Sequence, residues 1–400
     1  MTTADFIEKY RHEDVRKLAL MGGRFPDVDM PYALNQIAGW QTACEKLPTW
    51  ASREGIVFPP HISMEQCSSE STAKYKVQIV QRLRSATTKD SRYHDVFVDL
   101  TGGFGVDFSY MAQHFSKAIY VEQQQHLCDI AKQNFLILGL HHAEVVCCNG
   151  VEYIKGIEPV VFAYLDPARR DAHGVRTYAL EDCTPNILEI KDLLLEKART
   201  VMVKLSPMVD WHKVVNDLCC VSELHIVSVR NECKELLVVL QKNYTDEMRI
   251  FCVNDDEIVD FSEREANAAH NVLARPDDDV VPGNWLYEAN ASLMKAGCFA
   301  LLCERYGIKK IGIHSNLYVS NNNIDFPGRK FEISAVSSMN KKELKQVLET
   351  IDRANIAVRN FPLSAEELRK RLKLKDGGET YIFGTTNAND NHILLLCKRA

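Results

Sequence analysis

Val96-Phe97-Val98-Asp99-Leu100-Thr101-Gly102-Gly103-Phe104-Gly105-Val106-Asp107 decides the fold of this chain. An apolar run ends in an acid, and a glycine-rich turn opens directly into an amphipathic segment. That is a strand, a tight loop and a helix N-terminus in one line. Such a loop lets a ligand approach bare backbone and offers its N–H groups to an anion. The dinucleotide fingerprint, Gly-x-Gly-x-x-Gly, asks for a third glycine at position 108 after Gly103 and Gly105. Phe108 stands there. The pattern present is Asp99-x-Thr101-x-Gly103-x-Gly105, with Thr101 where a first glycine would fall and Gly102 beside it.

Outward from this loop, the chain alternates between strand and helix patterns. Strands are expected at 96–100, 118–122, 143–148, 160–166, 200–205, 223–229 and 234–240, with helices between the first six. Apolar strands separated by helices pair in parallel through right-handed crossovers. Only Arg230-Asn231-Glu232-Cys233 separates the last two. That gap is too short for a crossover, so those two strands form an antiparallel hairpin. Six parallel strands and a reversed seventh make the class I methyltransferase sheet, which binds S-adenosylmethionine (SAM). An NAD fold ordinarily lacks the reversed strand. The expected fold is therefore α/β: a Rossmann-like, seven-stranded class I methyltransferase sheet, with an N-terminal helical region and two small C-terminal α+β domains.

The boundaries follow from pattern changes. Residues 1–90 read as helical, with helices at 4–16 and 31–51 and a third opening near Ser68. Residues 91–245 form the methyltransferase domain. Residues 246–327 carry strands at 249–253 and 310–314, helices at 262–274 and 287–306, and a surface loop at 319–323. Residues 328–400 carry strands at 331–336, 356–359, 379–385 and 391–397. Helices at 340–354 and 364–374 lie between them, each with capping-box spacing.

Composition narrows the class. The net charge is −6, but 14 Lys and Arg against 9 Asp and Glu lie between Arg329 and Ala400. A basic end on an acidic body is compatible with RNA contact or with an ordinary solvated helix face. Thirteen cysteines are scattered without a Cys-x-x-Cys, so no metal site is expected and reduced thiols are. The N-terminus lacks a signal pattern, and no stretch approaches the ~20 apolar residues of a membrane span. A cytoplasmic protein without a membrane partner is expected.

The chemistry-bearing candidates sit at strand ends. Glu122 closes the second strand, 17 residues after Gly105. An acid there can accept both ribose hydroxyls of a nucleoside; otherwise it faces water. Asn149, after the third strand, can accept from an adenine amino group and donate to a ring nitrogen, or simply start a helix. Asp166-Pro167-Ala168-Arg169-Arg170 follows the fourth strand, at the topological switch point where a ligand crevice forms. Asp166 therefore looks at the reacting methyl group, and Pro167 fixes its backbone. Amino-directed adenine methyltransferases carry two prolines and an aromatic here; Ala168 and Arg169 take their place. Arg169 and Arg170 can clamp a phosphate, stack on a base, or pair with internal acids. Ser206-Pro207 follows the fifth strand, with Lys204 at its end, and faces the same crevice; Lys204 can otherwise simply snorkel. Neither crevice loop supplies a nucleophilic cysteine, and Cys183 is a weak candidate, so direct transfer to nitrogen or oxygen is expected.

These segments together resemble a bacterial family of class I SAM-dependent methyltransferases with a ferredoxin-like module and a C-terminal THUMP-like domain. The matching stretches are Glu65 to Lys76, Asp99 to Asp107, Tyr164 to Asp171, Leu180 to Cys183, Lys204 to Met208, Asn231 to Leu237 and Val358 to Leu363. The resemblance implies RNA, usually tRNA, as substrate and SAM as cofactor. Ser68 to Lys76 is also similar to the pre-loop helix of cap-guanosine methyltransferases, which implies that Ser69 and Glu70 close over SAM. That group has Ser-Pro-Pro-Trp where Asp166 begins its loop, so the methylated atom does not carry over. Lys370, Arg371 and Lys373, with Lys375, are the candidate RNA-facing cations. Two other functions remain open from the residues: a SAM- or RNA-binding protein without turnover, and a methyltransferase of proteins or small molecules.

Overall fold

The computed structural model describes residues 1–86, 92–168, 180–242, 244 and 246–400. Two compact units emerge. The first joins Met1–Leu224 to Glu235–Asp246, and the second joins His225–Lys234 to Glu247–Ala400.

The first unit opens with helices at Thr3–Tyr10, Val15–Ala19, Met30–Lys46, Pro48–Ala51, His61–Gln66 and Glu70–Ala86. The expected helix at 4–16 is two helices. Asp14 leaves the helical region and its carboxylate accepts from Arg16 and Lys17 N–H, starting a new helix. The expected helix at 31–51 breaks at Leu47, because the residue before Pro48 is pushed out of helical backbone. Trp50 and Phe58 pack on Phe104 of the glycine loop, with ring centroids at 4.9 and 6.4 Å. The helical region thus buries one side of that loop.

Seven strands follow: β1 (His94–Asp99), β2 (Lys117–Glu122), β3 (Ala143–Cys147), β4 (Val160–Leu165), β5 (Ala198–Leu205), β6 (Val221–Val229) and β7 (Glu232–Gln241). Their order is β3-β2-β1-β4-β5-β7-β6. β1 runs parallel to β2 and β4, and β7 runs antiparallel to β5. Order reverses between β1 and β4, which opens a crevice at their carboxyl ends. Phe97 of β1 anchors the core against Phe108, Phe115 and Phe162. β6 and β7 are joined by Arg230-Asn231, both at positive φ (52° and 60°), the geometry of a two-residue hairpin turn.

In the second unit, β8 (Arg249–Asn254) and β9 (Glu257–Ser262) form an antiparallel hairpin. They continue the strand order, so the sheet has nine strands rather than the expected seven. The helix expected at 262–274 spans only Glu263–Ala268.

A second sheet contains β10 (Trp285–Ala289), β11 (Lys309–Gly312), β12 (Ser315–Ser320), β13 (Gly328–Ser338), β14 (Arg353–Arg359), β15 (Lys375–Thr386) and β16 (His392–Arg399). Their order is β11-β12-β10-β13-β16-β15-β14. The helix expected at 287–306 is a strand followed by two helices. Asn290 caps Ala291–Ala296, and Gly297 ends it at positive φ. Val319 and Ser320, expected in a loop, finish β12. The helix expected at 340–354 ends at Val347. Its capping box does not form, because Glu343 accepts from Ser338 N and Oγ instead. Ser364 and Glu367 do form theirs, on a helix at Ala365–Leu372.

Candidate active site

The glycine loop is held by its own backbone and by neighbouring aromatics. Gly102 N donates to Val121 O at 2.9 Å, and a Cβ at Gly102 would stand 2.2 Å from the Tyr120 ring. Gly105 caps the following helix at φ 84°, and a Cβ there would meet Phe135 at 2.8 Å. Both positions exclude other residues, one by close approach and one by left-handed backbone as well. The Tyr120 hydroxyl donates to Gly103 O.

Two acids frame the loop. Glu122 Oε2 accepts from Gly103 N at 3.0 Å and Oε1 from Gln124 N at 2.8 Å. Each oxygen keeps a lone pair after these bonds. Asp99, 1% exposed, accepts from Thr101 N at 3.0 Å. Burial pushes the Asp99 carboxyl well above its ordinary range, and the nearby acids Asp107, Asp166 and Glu122 push the same way. Thr101 has a structural use for its hydroxyl: Asp166 N donates to Thr101 Oγ1 at 2.6 Å. The residue standing in place of the first glycine ties the loop to the neighbouring strand end.

Asp166 lies on a second, charged wall. Its Oδ2 accepts from Lys204 Nζ at 2.6 Å. Lys204 also stands 4.0 Å from Asp107 Oδ2. Behind it lies Lys76, fully buried, with Nζ at 2.6 Å from Glu235 Oε1, 3.1 Å from Asp107 Oδ1 and 3.2 Å from Ser68 Oγ. Ser68 and Tyr164 hydroxyls each donate to Asp107 Oδ2 at 2.7 Å. Burial disfavours the Lys204 ammonium, but Asp166, Asp107 and Glu235 outweigh it and hold it charged. Burial likewise opposes the Asp107 carboxylate, yet Lys76 and Lys204 hold its pKa low. For Glu235 burial wins, and its pKa rises. Pro167 is buried, and Ala168 exchanges two backbone hydrogen bonds with Thr184 that fix the end of this loop.

Asn149 Oδ1 accepts from Val151 and Glu152 N–H as a helix cap, so its acceptor is committed and its amide N–H is the group left for a ligand. Glu70 is turned to its own helical region, accepting from Thr49 N, Thr49 Oγ1 and Lys74. Ser206 Oγ is buried and accepts from Met208 N. Arg169 and Arg170 lie outside the described residues. Lys370, Arg371 and Lys373 are exposed in the second unit, where Lys370 pairs with Glu366 at 2.9 Å. Sequence reasoning missed Lys76, Asp107 and Glu235 as members of the site. Each lies inside one of the stretches that carried the family resemblance. The available signal was a charge embedded among residues that pack as core.

Comparison with known proteins agrees with this architecture. Residues 285–327 match the model of a ferredoxin-like domain, and residues 328–399 match a THUMP domain-like family. No curated protein matches the chain. A solved structure of a candidate methyltransferase from Porphyromonas gingivalis is 30% identical, with a TM-score of 0.82. The match covers 99% of this chain and 97% of that one. Likeness to a candidate RNA methyltransferase from Pyrococcus horikoshii is far looser. It is 14% identical over 51% of this chain and 97% of that one, with a TM-score of 0.36. The chain belongs to the class I SAM-dependent methyltransferase family that carries a ferredoxin-like module and a C-terminal THUMP-like domain. Among the described residues, no helix is long and apolar enough to cross a membrane.

Proposed function

We propose that the chain is a SAM-dependent methyltransferase acting on a base in structured RNA by direct transfer to nitrogen or oxygen. The observation that carries the reading is Glu122. An acid at the end of β2 meets the glycine loop at Gly103 N and keeps lone pairs for two ribose hydroxyls. The seven strands from β1 to β7, with β7 reversed, are the sheet this cofactor class uses. The glycine positions that exclude a Cβ, and the spare capacity of Glu122, fit SAM. When bound, SAM supplies a methyl group on a sulfonium.

The chain's own groups have distinct roles. Thr101, Gly102, Gly103 and Gly105 hold the methionine end through backbone, with Asp99 fixing the turn. Glu122 holds the ribose, and the Asn149 amide donates to the adenine ring. Asp166 orients the acceptor or receives its proton, with Pro167 and Lys204 fixing it and Ser206 shaping the adjoining loop. Arg169 and Arg170 contact substrate, and Glu70 braces the helix beside the cofactor. Lys370, Arg371 and Lys373 meet RNA phosphates from the second unit, and the protein works in the cytoplasm.

Thermal shift with SAM is the first test, because a ligand of the native state raises Tm. No shift rules the reading out. The decisive measurement is transfer of labelled methyl from SAM to total RNA, abolished by Asp166→Ala. Label that enters only protein or metabolites overturns the RNA assignment. Arg371→Ala with Lys373→Ala should weaken RNA binding across sequences and reduce its salt slope by about 1 per lost phosphate contact.

A further inference from the structure

We propose that Lys76 is a positioning residue: by neutralising Asp107, it releases Lys204 to hold Asp166 at the acceptor. The proposal rests on the methyltransferase reading for the role of Asp166, while the arrangement itself rests on geometry.

Three carboxylates share two ammoniums. Asp107, Asp166 and Glu235 are the acids, and Lys76 and Lys204 the bases. Lys204 stands between two claimants, at 2.6 Å from Asp166 and 4.0 Å from Asp107. Asp107 is the more buried claimant, with a side chain 9% exposed against 33% for Asp166. A buried carboxylate has more to gain from an ammonium, since water does not solvate it. Lys204 nevertheless sits on Asp166. The reason is that Asp107 is already supplied by Lys76, Ser68 and Tyr164.

Removing the Lys76 charge reverses the balance. Asp107 and Glu235 are then two buried carboxylates beside Lys204. The flexible four-carbon stem of Lys204 lets its ammonium close the gap to Asp107. Asp166, the most exposed of the three acids, loses its partner and its fixed orientation. A displacement of about 1 Å at a positioning group can cost on the order of a hundredfold in rate. Lys76 lies behind Lys204, with Asp107, Glu235 and Ser68 as its polar partners, so its effect on Asp166 passes through Lys204.

The two halves of the Lys76–Asp107 pair should therefore affect Lys204 unequally, which a purely structural role does not produce. Full-length protein labelled with ¹⁵N-lysine reports the Lys204 ammonium by NMR, assigned by its loss in Lys204→Met. Lys76→Met should displace that signal, whereas Asp107→Asn should change it far less. Lys76→Gln replaces Lys76→Met if the latter does not fold. In transfer assays, the Lys76 variant should lose about tenfold or more in turnover with SAM affinity within twofold. The double variant Lys76→Met/Asp107→Asn should recover most of that loss. A Lys204 signal unmoved by the Lys76 change, or moved equally by both single changes, overturns the proposal. Absence of SAM binding by the wild type overturns the methyltransferase reading instead, and the ammonium signals still decide how Lys204 is held.

Discussion

The glycine loop and the charged cluster meet at Thr101, whose hydroxyl accepts from Asp166 N, yet they are made of different things. The loop is seven contiguous residues, Asp99 to Gly105, shaped by backbone conformation and aromatic packing. The cluster is built from side chains on separate elements, and its Lys76–Glu235 pair spans 159 residues of chain. A wall of backbone tolerates little change in shape. A wall of buried charge tolerates little change in charge.

The largest effect should come from charge. Lys76→Met leaves two buried carboxylates short of a cation and should cost about 3–5 kcal/mol in a denaturant titration. A loss below about 1 kcal/mol would mean that the cluster is wetter than its burial implies. Next comes shape. Gly102→Ala drives a Cβ into the Tyr120 ring and should cost about 1–3 kcal/mol, together with loss of SAM binding by calorimetry. If Gly102→Ala binds SAM normally, the loop is not a rigid wall.

A third test reaches Asp99, the loop's own acid. Its folded pKa is raised by burial, so its stabilising contribution is present below the unfolded value near 3.8 and is lost as pH rises through the folded value. Asp99→Asn has no such loss. The Tm of Asp99→Asn relative to wild type should therefore climb with pH above 4 and then level, at about 2–4 °C for each kcal/mol. A gap that shrinks as pH rises would reverse the assignment. The smallest effect belongs to Thr101→Gly, which restores the expected glycine but removes the bond to Asp166. It should cost about 1 kcal/mol in stability and more in turnover than in SAM affinity.

The same contrast explains what could be read from sequence. The loop was legible because its residues are consecutive, and the reversed β7 because a four-residue gap admits only a hairpin. Glu122 and Asp166 were legible because each ends an apolar strand. Lys76 and Glu235 were not, since nothing in the sequence says that a helix charge and a strand charge so far apart will meet. In the second unit, Tyr287, Ala291, Met294, Cys298 and Leu302 recur three or four residues apart, a helical spacing that hides β10. Only Asn290, capping the helix that follows, marks the change of structure. Residues 257–262 were hidden differently, behind a tight turn at Asp255, where φ is 54°.

The Thr101–Asp166 bond also has a kinetic consequence. It couples the loop that would receive the cofactor to the group that would receive the acceptor. Filling the loop would stiffen Thr101, and Thr101 would in turn settle Asp166 before an acceptor arrives. The two substrates should then add in a fixed sequence, cofactor first. Demethylated cofactor would compete with SAM but not with the acceptor, and cutting the Thr101 tether should loosen that order toward random addition.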